Sequence, residues 1–204
     1  EMLIGTTGVG SIVDVGSGRT WDPATIIGNV ERRAAVLSSL GVGRGTKVAI
    51  CHGNSASFFA DLFAIWRLGS CTICLNPGLS REELDNVLAF MKPKATLIAP
   101  GGPETTSDVT TVICLDEENS DREAIRQQGH IDDDALILLT SGTTGTPKGV
   151  VHTFRSILAR VALNKSFIGV KDLSSTLCVL PTHFGHGLIG NCLTPLLSGN
   201  KLVL

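Results

Sequence analysis

The chain has 204 residues, 43% hydrophobic and 18% charged, with 23 glycines, no tyrosine and a formal net charge of −2. This balance excludes a disordered chain and implies a buried core with many tight turns, as in nucleotide-binding α/β proteins. Basic residues never run five together and no stretch of 18 apolar residues occurs, which argues against nucleic acid, anionic membrane or a transmembrane segment.

In chain order, Asp22-Pro23 predicts a helix start, a capping carboxylate followed by proline at the first helical position. Ile26, Val30, Ala34, Leu37 and Leu40 recur on one face, and Gly41 ends the run. A short strand is expected at 47–51, closed by His52-Gly53-Asn54. A strongly apolar helix follows over 58–68, carrying Phe58, Phe59, Leu62, Phe63 and Trp66. The next strand covers 71–75, and Asn76-Pro77-Gly78 turns the chain.

Ser80-Arg81-Glu82-Glu83 has the pattern of a capping box and opens a helix with Leu84, Val87, Leu88 and Met91 inward. Pro93 stops it. Strands are expected at 95–99 and 109–115, separated by a polar loop. Asp132-Asp133-Asp134 reads either as a linker or as a solvated turn. The final residues, 201–204, look like the beginning of a strand, and truncation is the expectation there. Strands alternating with helices of this length predict an α/β fold, a mostly parallel sheet flanked by helices.

Cys51, Cys71, Cys74, Cys114, Cys178 and Cys192 lie mostly in apolar, strand-like runs. They read as buried free thiols of a reducing compartment, so a soluble, cytoplasmic protein is expected. On a strand Cys71 and Cys74 point to opposite faces, which disfavours a metal or redox pair.

The informative segment runs from Ile137 to Val151. An apolar strand leads into three glycines, five hydroxyl side chains, one proline and one lysine, and a second apolar strand follows at Val150. Gly142 and Gly145 allow backbone N–H groups to approach an anion. Thr140, Ser141, Thr143 and Thr144 offer hydroxyl donors, and Lys148 adds a mobile positive charge. Neither the Walker ending nor the kinase-type glycine loop is present. A phosphate cradle is the favoured reading; a flexible polar hairpin is the other.

The string Thr140-Ser141-Gly142-Thr143-Thr144-Gly145-Thr146-Pro147-Lys148-Gly149-Val150 resembles the signature loop of the adenylate-forming superfamily. Its members include acyl-CoA synthetases, peptide-synthetase adenylation domains and luciferases. Trp66-Arg67-Leu68-Gly69-Ser70 through Asn76-Pro77 is similar to an earlier segment of that family. Leu180-Pro181-Thr182-His183-Phe184-Gly185-His186-Gly187 resembles the start of its acyl-pocket helix. By element order the resemblance covers the chain from about residue 20.

The resemblance implies that residues 1–204 are an incomplete N-terminal large domain, the rest of that domain and a small catalytic domain lying beyond. It implies ATP-dependent activation of a carboxylic acid to an acyl-adenylate, with coenzyme A or a carrier-protein phosphopantetheine as acceptor. Thr140, Ser141, Gly142, Thr143, Thr144, Gly145 and Lys148 become the phosphate contacts, with Lys148 and Thr140 in the catalytic role. ATP is accompanied by magnesium (Mg2+), and no metal ligand is assigned on this chain.

His183, Phe184, His186 and Gly187 become candidates for the acid pocket. Phe184 occupies the position where many acyl-CoA synthetases carry histidine, so His183 and His186 stand equally between a pocket role and a turn or core role. No aspartate occurs in 181–191 to grip an α-amino group, which favours a fatty, aryl or small organic acid. His52 reads as turn chemistry, and His152 as structural ahead of ligand-facing.

A fragment of this extent is expected to be inactive. Three rival readings remain: a non-catalytic nucleotide- or phosphate-binding module, an assembly fragment dimerising through an exposed sheet edge at 201–204, and a luciferase-type monooxygenase.

Overall fold

Capping chemistry sets the helices where the sequence places them. The computed structural model describes residues 8–113, 129–140, 148–169 and 171–204. Asp22 caps α1 (Pro23–Ser39), its carboxylate accepting the Thr25 N–H at 2.7 Å. Ser55 caps α2 (Ala56–Arg67), whose aromatic residues are buried on nearly every side. Ser80 and Glu83 form the capping box of α3 (Arg81–Met91), with bonds of 3.3 and 2.8 Å. Lys92 closes that helix in the left-handed region, with φ 49°.

Between these helices run β3 (Lys47–Cys51), β4 (Cys71–Cys74), β5 (Ala95–Ile98) and β6 (Thr110–Ile113). The strand expected over 109–115 is therefore seen at Thr110–Ile113, and Cys114 and Leu115 lie outside the described residues. With β7 (Asp134–Thr140) and β8 (Lys148–Thr153) they form one sheet in the order β6-β5-β3-β4-β7-β8. Every pairing is parallel except that of β7 with β8.

Side-chain alternation divides the core between the two faces. Val48, Ile50, Cys74, Leu97, Leu136 and Leu138 pack with α1 and α2, whereas Ala49, Cys51, Cys71, Ile73, Ile98 and Ile137 pack with α3. Cys71 and Cys74 thus diverge as expected, and burial pushes the Cys51 thiol up to about 11 and the Cys71 thiol up to about 12. Trp66 locks α2 to the sheet, donating its indole N–H to the Ala135 carbonyl at 2.7 Å.

A second sheet was not expected. β1 (Ile12–Asp14), β2 (Arg19–Trp21), β9 (Ser175–Leu177) and β10 (Lys201–Val203) pair in the order β2-β1-β10-β9. Three-residue strands carry too little alternation to announce themselves. This corrects the sheet-edge reading of 201–204. β10 is held on both sides, by β1 and by β9, so its backbone groups are not an open edge for a second copy. Asp14 joins this sheet to the core, its carboxylate accepting the Ala56 N–H at 3.0 Å at the start of α2.

The helix α4 (Phe154–Ile168) follows β8 and buries Phe154, Ile157 and Val161. A wide π-type helical turn (His186–Leu193) then leads into α5 (Thr194–Leu197). The aspartate trio is a tied turn. Asp132 receives Arg155 at 2.6 and 3.0 Å, Asp133 receives Arg44 at 2.7 and 2.9 Å, and Asp134 begins β7. Among the described residues no helix is long and apolar enough to cross a membrane.

Candidate functional site

The parallel sheet decides where a ligand can sit. From β3 the chain leaves to α2 on one face, and from β4 to α3 on the other. The connections diverge between β3 and β4, and the space outside the carboxyl ends of such strands is the usual ligand position in parallel sheets. β7 lies beside β4 and parallel to it, so Thr140 at its end reaches the same edge of the sheet.

Thr140 faces Lys148 across the β7–β8 ladder, and its hydroxyl donates to the Lys148 carbonyl at 3.3 Å. Both residues are exposed. The two ends of the glycine- and hydroxyl-rich loop are thereby brought together at the carboxyl end of β7. Ser141, Gly142, Thr143, Thr144 and Gly145 lie outside the described residues. Gly149, one residue beyond Lys148, packs where a Cβ would stand 2.9 Å from Ile137 and 3.0 Å from Met91. A larger residue at 149 would require Ile137 and the flexible end of Met91 to shift.

The segment before the π-type turn rests on the same strand. A Cβ on Gly185 would lie 3.1 Å from the Leu138 side chain, two residues before Thr140. Phe184 donates its N–H to the Pro181 carbonyl at 3.2 Å, so residues 181–184 form a tight turn. Gly187 is buried over that turn, where a Cβ would meet the same carbonyl oxygen at 2.6 Å.

His183 is half-buried and stacks at a tilt on Phe184, with ring centroids 4.4 Å apart. Burial holds the His183 imidazole below its ordinary value, favouring the neutral ring. Phe184 remains 55% exposed, and His186 is exposed at the first residue of the π-type turn. His183 and Phe184 therefore act together geometrically, while Gly187 shapes the backbone beneath them.

His52 needs a correction. It is not in turn chemistry but buried, its Nε2 lying 2.9 Å from Asp61 Oδ2, and Asp61 Oδ1 accepts from Arg33 at 2.6 Å. Arg33 also donates to the Ser57 carbonyl and hydroxyl, each at 3.3 Å. Asp61 and Arg33 sit on inward-facing positions of apolar helices, a pattern that marks a buried pair without naming its partners. His152, half-buried in the β7–β8 ladder opposite Leu136, is held below its ordinary value by burial and by Arg160. Among the described residues no three His, Cys, Asp or Glu side chains converge as metal ligands.

The family model described as AMP-binding enzyme matches residues 13–204. The chain belongs to this family. Curated relatives include a long-chain-fatty-acid–CoA ligase of Mycobacterium tuberculosis, 31% identical over 74% of this chain and 33% of its own length. A 2-succinylbenzoate–CoA ligase of Listeria monocytogenes is 28% identical over 78% of this chain and 34% of its own.

Among solved structures, the inhibitor-bound N-terminal domain of FACL13 from Mycobacterium tuberculosis superposes with a TM-score of 0.80 and 24% identity. It covers 96% of this chain and 53% of that one, and shows the shared fold. The Bacillus subtilis O-succinylbenzoate coenzyme A synthetase in complex with AMP gives a TM-score of 0.73 and 26% identity. Here the coverage is 91% and 50%. The chain spans about a third of the length of these curated relatives.

For this member of the family the α/β architecture expected from the sequence holds: a mostly parallel sheet flanked by helices, as in N-terminal domains of adenylate-forming enzymes.

Proposed function

We propose that the protein carrying this chain activates a carboxylic acid with ATP, giving an acyl-adenylate and pyrophosphate, and passes the acyl group to a thiol. The chain would be the incomplete N-terminal large domain of such an acid–thiol ligase. The observation that carries the reading is the β7–β8 hairpin, closed at Thr140 and Lys148 at the carboxyl end of a parallel sheet. An exposed lysine and hydroxyl flanking a glycine-rich loop fit an anionic ligand. Relatives named as CoA ligases support the thiol as coenzyme A; carrier-protein phosphopantetheine is the other acceptor of the same chemistry.

In this reading Lys148 pairs with the outer phosphates and follows them as the bond to the α-phosphate breaks. Thr140 donates its hydroxyl to a phosphate oxygen, and Ser141, Gly142, Thr143, Thr144 and Gly145 complete the cradle. His183, Phe184, His186 and Gly187 border the acid. A neutral imidazole at His183 suits that border, since it can donate one hydrogen bond without adding a charge. Magnesium would enter with the nucleotide and offset the phosphate charge.

Acid-dependent exchange of labelled pyrophosphate into ATP tests the proposal, with fatty, aryl and amino acids offered to the full-length protein. Exchange with one acid class is expected, reduced about a hundredfold or more by Lys148→Ala, since a charge directed at the transferring group is lost. The 204-residue piece is expected to show none. ATP binding with no exchange for any acid would instead indicate a non-catalytic nucleotide-binding module.

A further inference from the structure

One side chain joins the turn after β3 to the segment that carries His183 and Phe184. Asn54 stands in the left-handed region, with φ 50°, a conformation that asparagine tolerates better than most residues. Its Nδ2 donates to the Leu180 carbonyl at 3.0 Å, and its Oδ1 accepts the Thr182 N–H at 3.0 Å. The two bonds bracket Pro181, which has no N–H of its own to offer. The amide thus pairs with residues 180 and 182 as a neighbouring strand would.

A third bond completes the grip. The Asn54 N–H donates to the Thr182 hydroxyl at 3.3 Å, and Thr182 is fully buried against Gly53. A Cβ on Gly53 would come within 2.5 Å of that hydroxyl, so the approach depends on glycine at 53. From this anchor the tight turn continues directly to His183 and Phe184, and Gly185 then meets Leu138 of β7. The segment is pinned at one end by Asn54 and rests at the other on the strand that leads to Thr140.

We propose that Asn54 is a positioning residue for acid selection. It fixes residues 180–182 and so sets where His183 and Phe184 stand relative to the end of β7 at Thr140. Asn54 itself acts through that segment, without touching the acid. The inference rests on the acid-activation reading given above.

Two substitutions test it in the full-length protein. Asn54→Gly keeps the left-handed backbone without strain and removes both side-chain bonds. Asn54→Asp keeps an acceptor for the Thr182 N–H but replaces the donor to Leu180 with an oxygen. Hydrogen–deuterium exchange of peptides covering 179–188 is followed beside pyrophosphate-exchange kinetics.

For Asn54→Gly, faster deuterium uptake in 179–188 is expected, with a rise of roughly tenfold in KM for the acid, the scale of one or two lost hydrogen bonds. KM for ATP should stay within about twofold, and Asn54→Asp, whose second oxygen would face the Leu180 carbonyl, should raise the KM for the acid at least as much as Asn54→Gly. Unchanged uptake in 179–188 would overturn the inference. So would faster uptake with a lowered melting temperature but an unaltered KM for the acid, the signature of a merely structural bond. An unsubstituted protein that exchanges with no acid overturns the acid-activation reading and this inference with it. That failure is distinguishable because it precedes any substitution.

Discussion

Removing the Asp61 carboxylate is expected to be among the most destabilising single changes in this domain. Asp61 accepts from Arg33 at 2.6 Å and stands 2.9 Å from His52 Nε2, and the Arg33 and Asp61 side chains are only 4% and 5% exposed. Asp61→Ala takes from the buried guanidinium its short 2.6 Å bond, while the Ser57 bonds at 3.3 Å stay in place. Breaking a buried pair from one side costs about 3–5 kcal/mol, because a desolvated charge loses its carboxylate partner. Asp61→Asn retains one acceptor and should lose less.

The decisive comparison is the triple change Arg33→Met, His52→Phe, Asp61→Leu, which removes the polar set together. It should be more stable than Asp61→Ala by itself, since no buried charge is left behind. Native-state hydrogen exchange in urea, read on peptides from α2 in the full-length protein, measures the local loss without assuming a two-state transition. A loss under about 1 kcal/mol for Asp61→Ala, or a triple change at least as damaging, would refute the reasoning.

Two further outcomes are expected. Gly187→Ala should abolish acid-dependent exchange while ATP binding persists, because its Cβ would stand 2.6 Å from a backbone oxygen. Gly185→Ala meets only the mobile end of Leu138 at 3.1 Å and should be far milder; equal losses from both would count against the packing argument. Hydrogen bonding from Arg44, ahead of the His130 N–H, holds the Asp133 carboxyl below its ordinary value near 3.8, at about 2. A carboxyl whose folded value is lowered stabilises above its unfolded value and loses that contribution as pH falls through the folded one. The stability gap between Asp133 and Asp133→Asn proteins should therefore close as pH drops from about 4 to about 2. Acid titration of unfolding checks this, and a gap that persists below that window would contradict it.

The nearby chemistry of the chain was legible without coordinates. The caps at Asp22 and Ser80, the apolar faces of α1 to α3 and the opposed directions of Cys71 and Cys74 depend on residues a few positions apart. The glycine- and hydroxyl-rich run between two strands was legible for the same reason, and the β7–β8 pairing closes it where expected, with β8 beginning at Lys148 ahead of Val150.

What tertiary structure decided lies between residues remote in sequence. Ile12 pairs with Leu202, which turns a supposed edge at 201–204 into the interior of a second sheet. Asn54 binds residues 126 and 128 positions away, and His52 and Arg33 converge on Asp61 from separate elements. Periodicity and capping are local restraints on the backbone, so one sequence suffices to read them. Which buried polar group meets which partner is set by the packing of helices and strands, and no spacing along the chain encodes it.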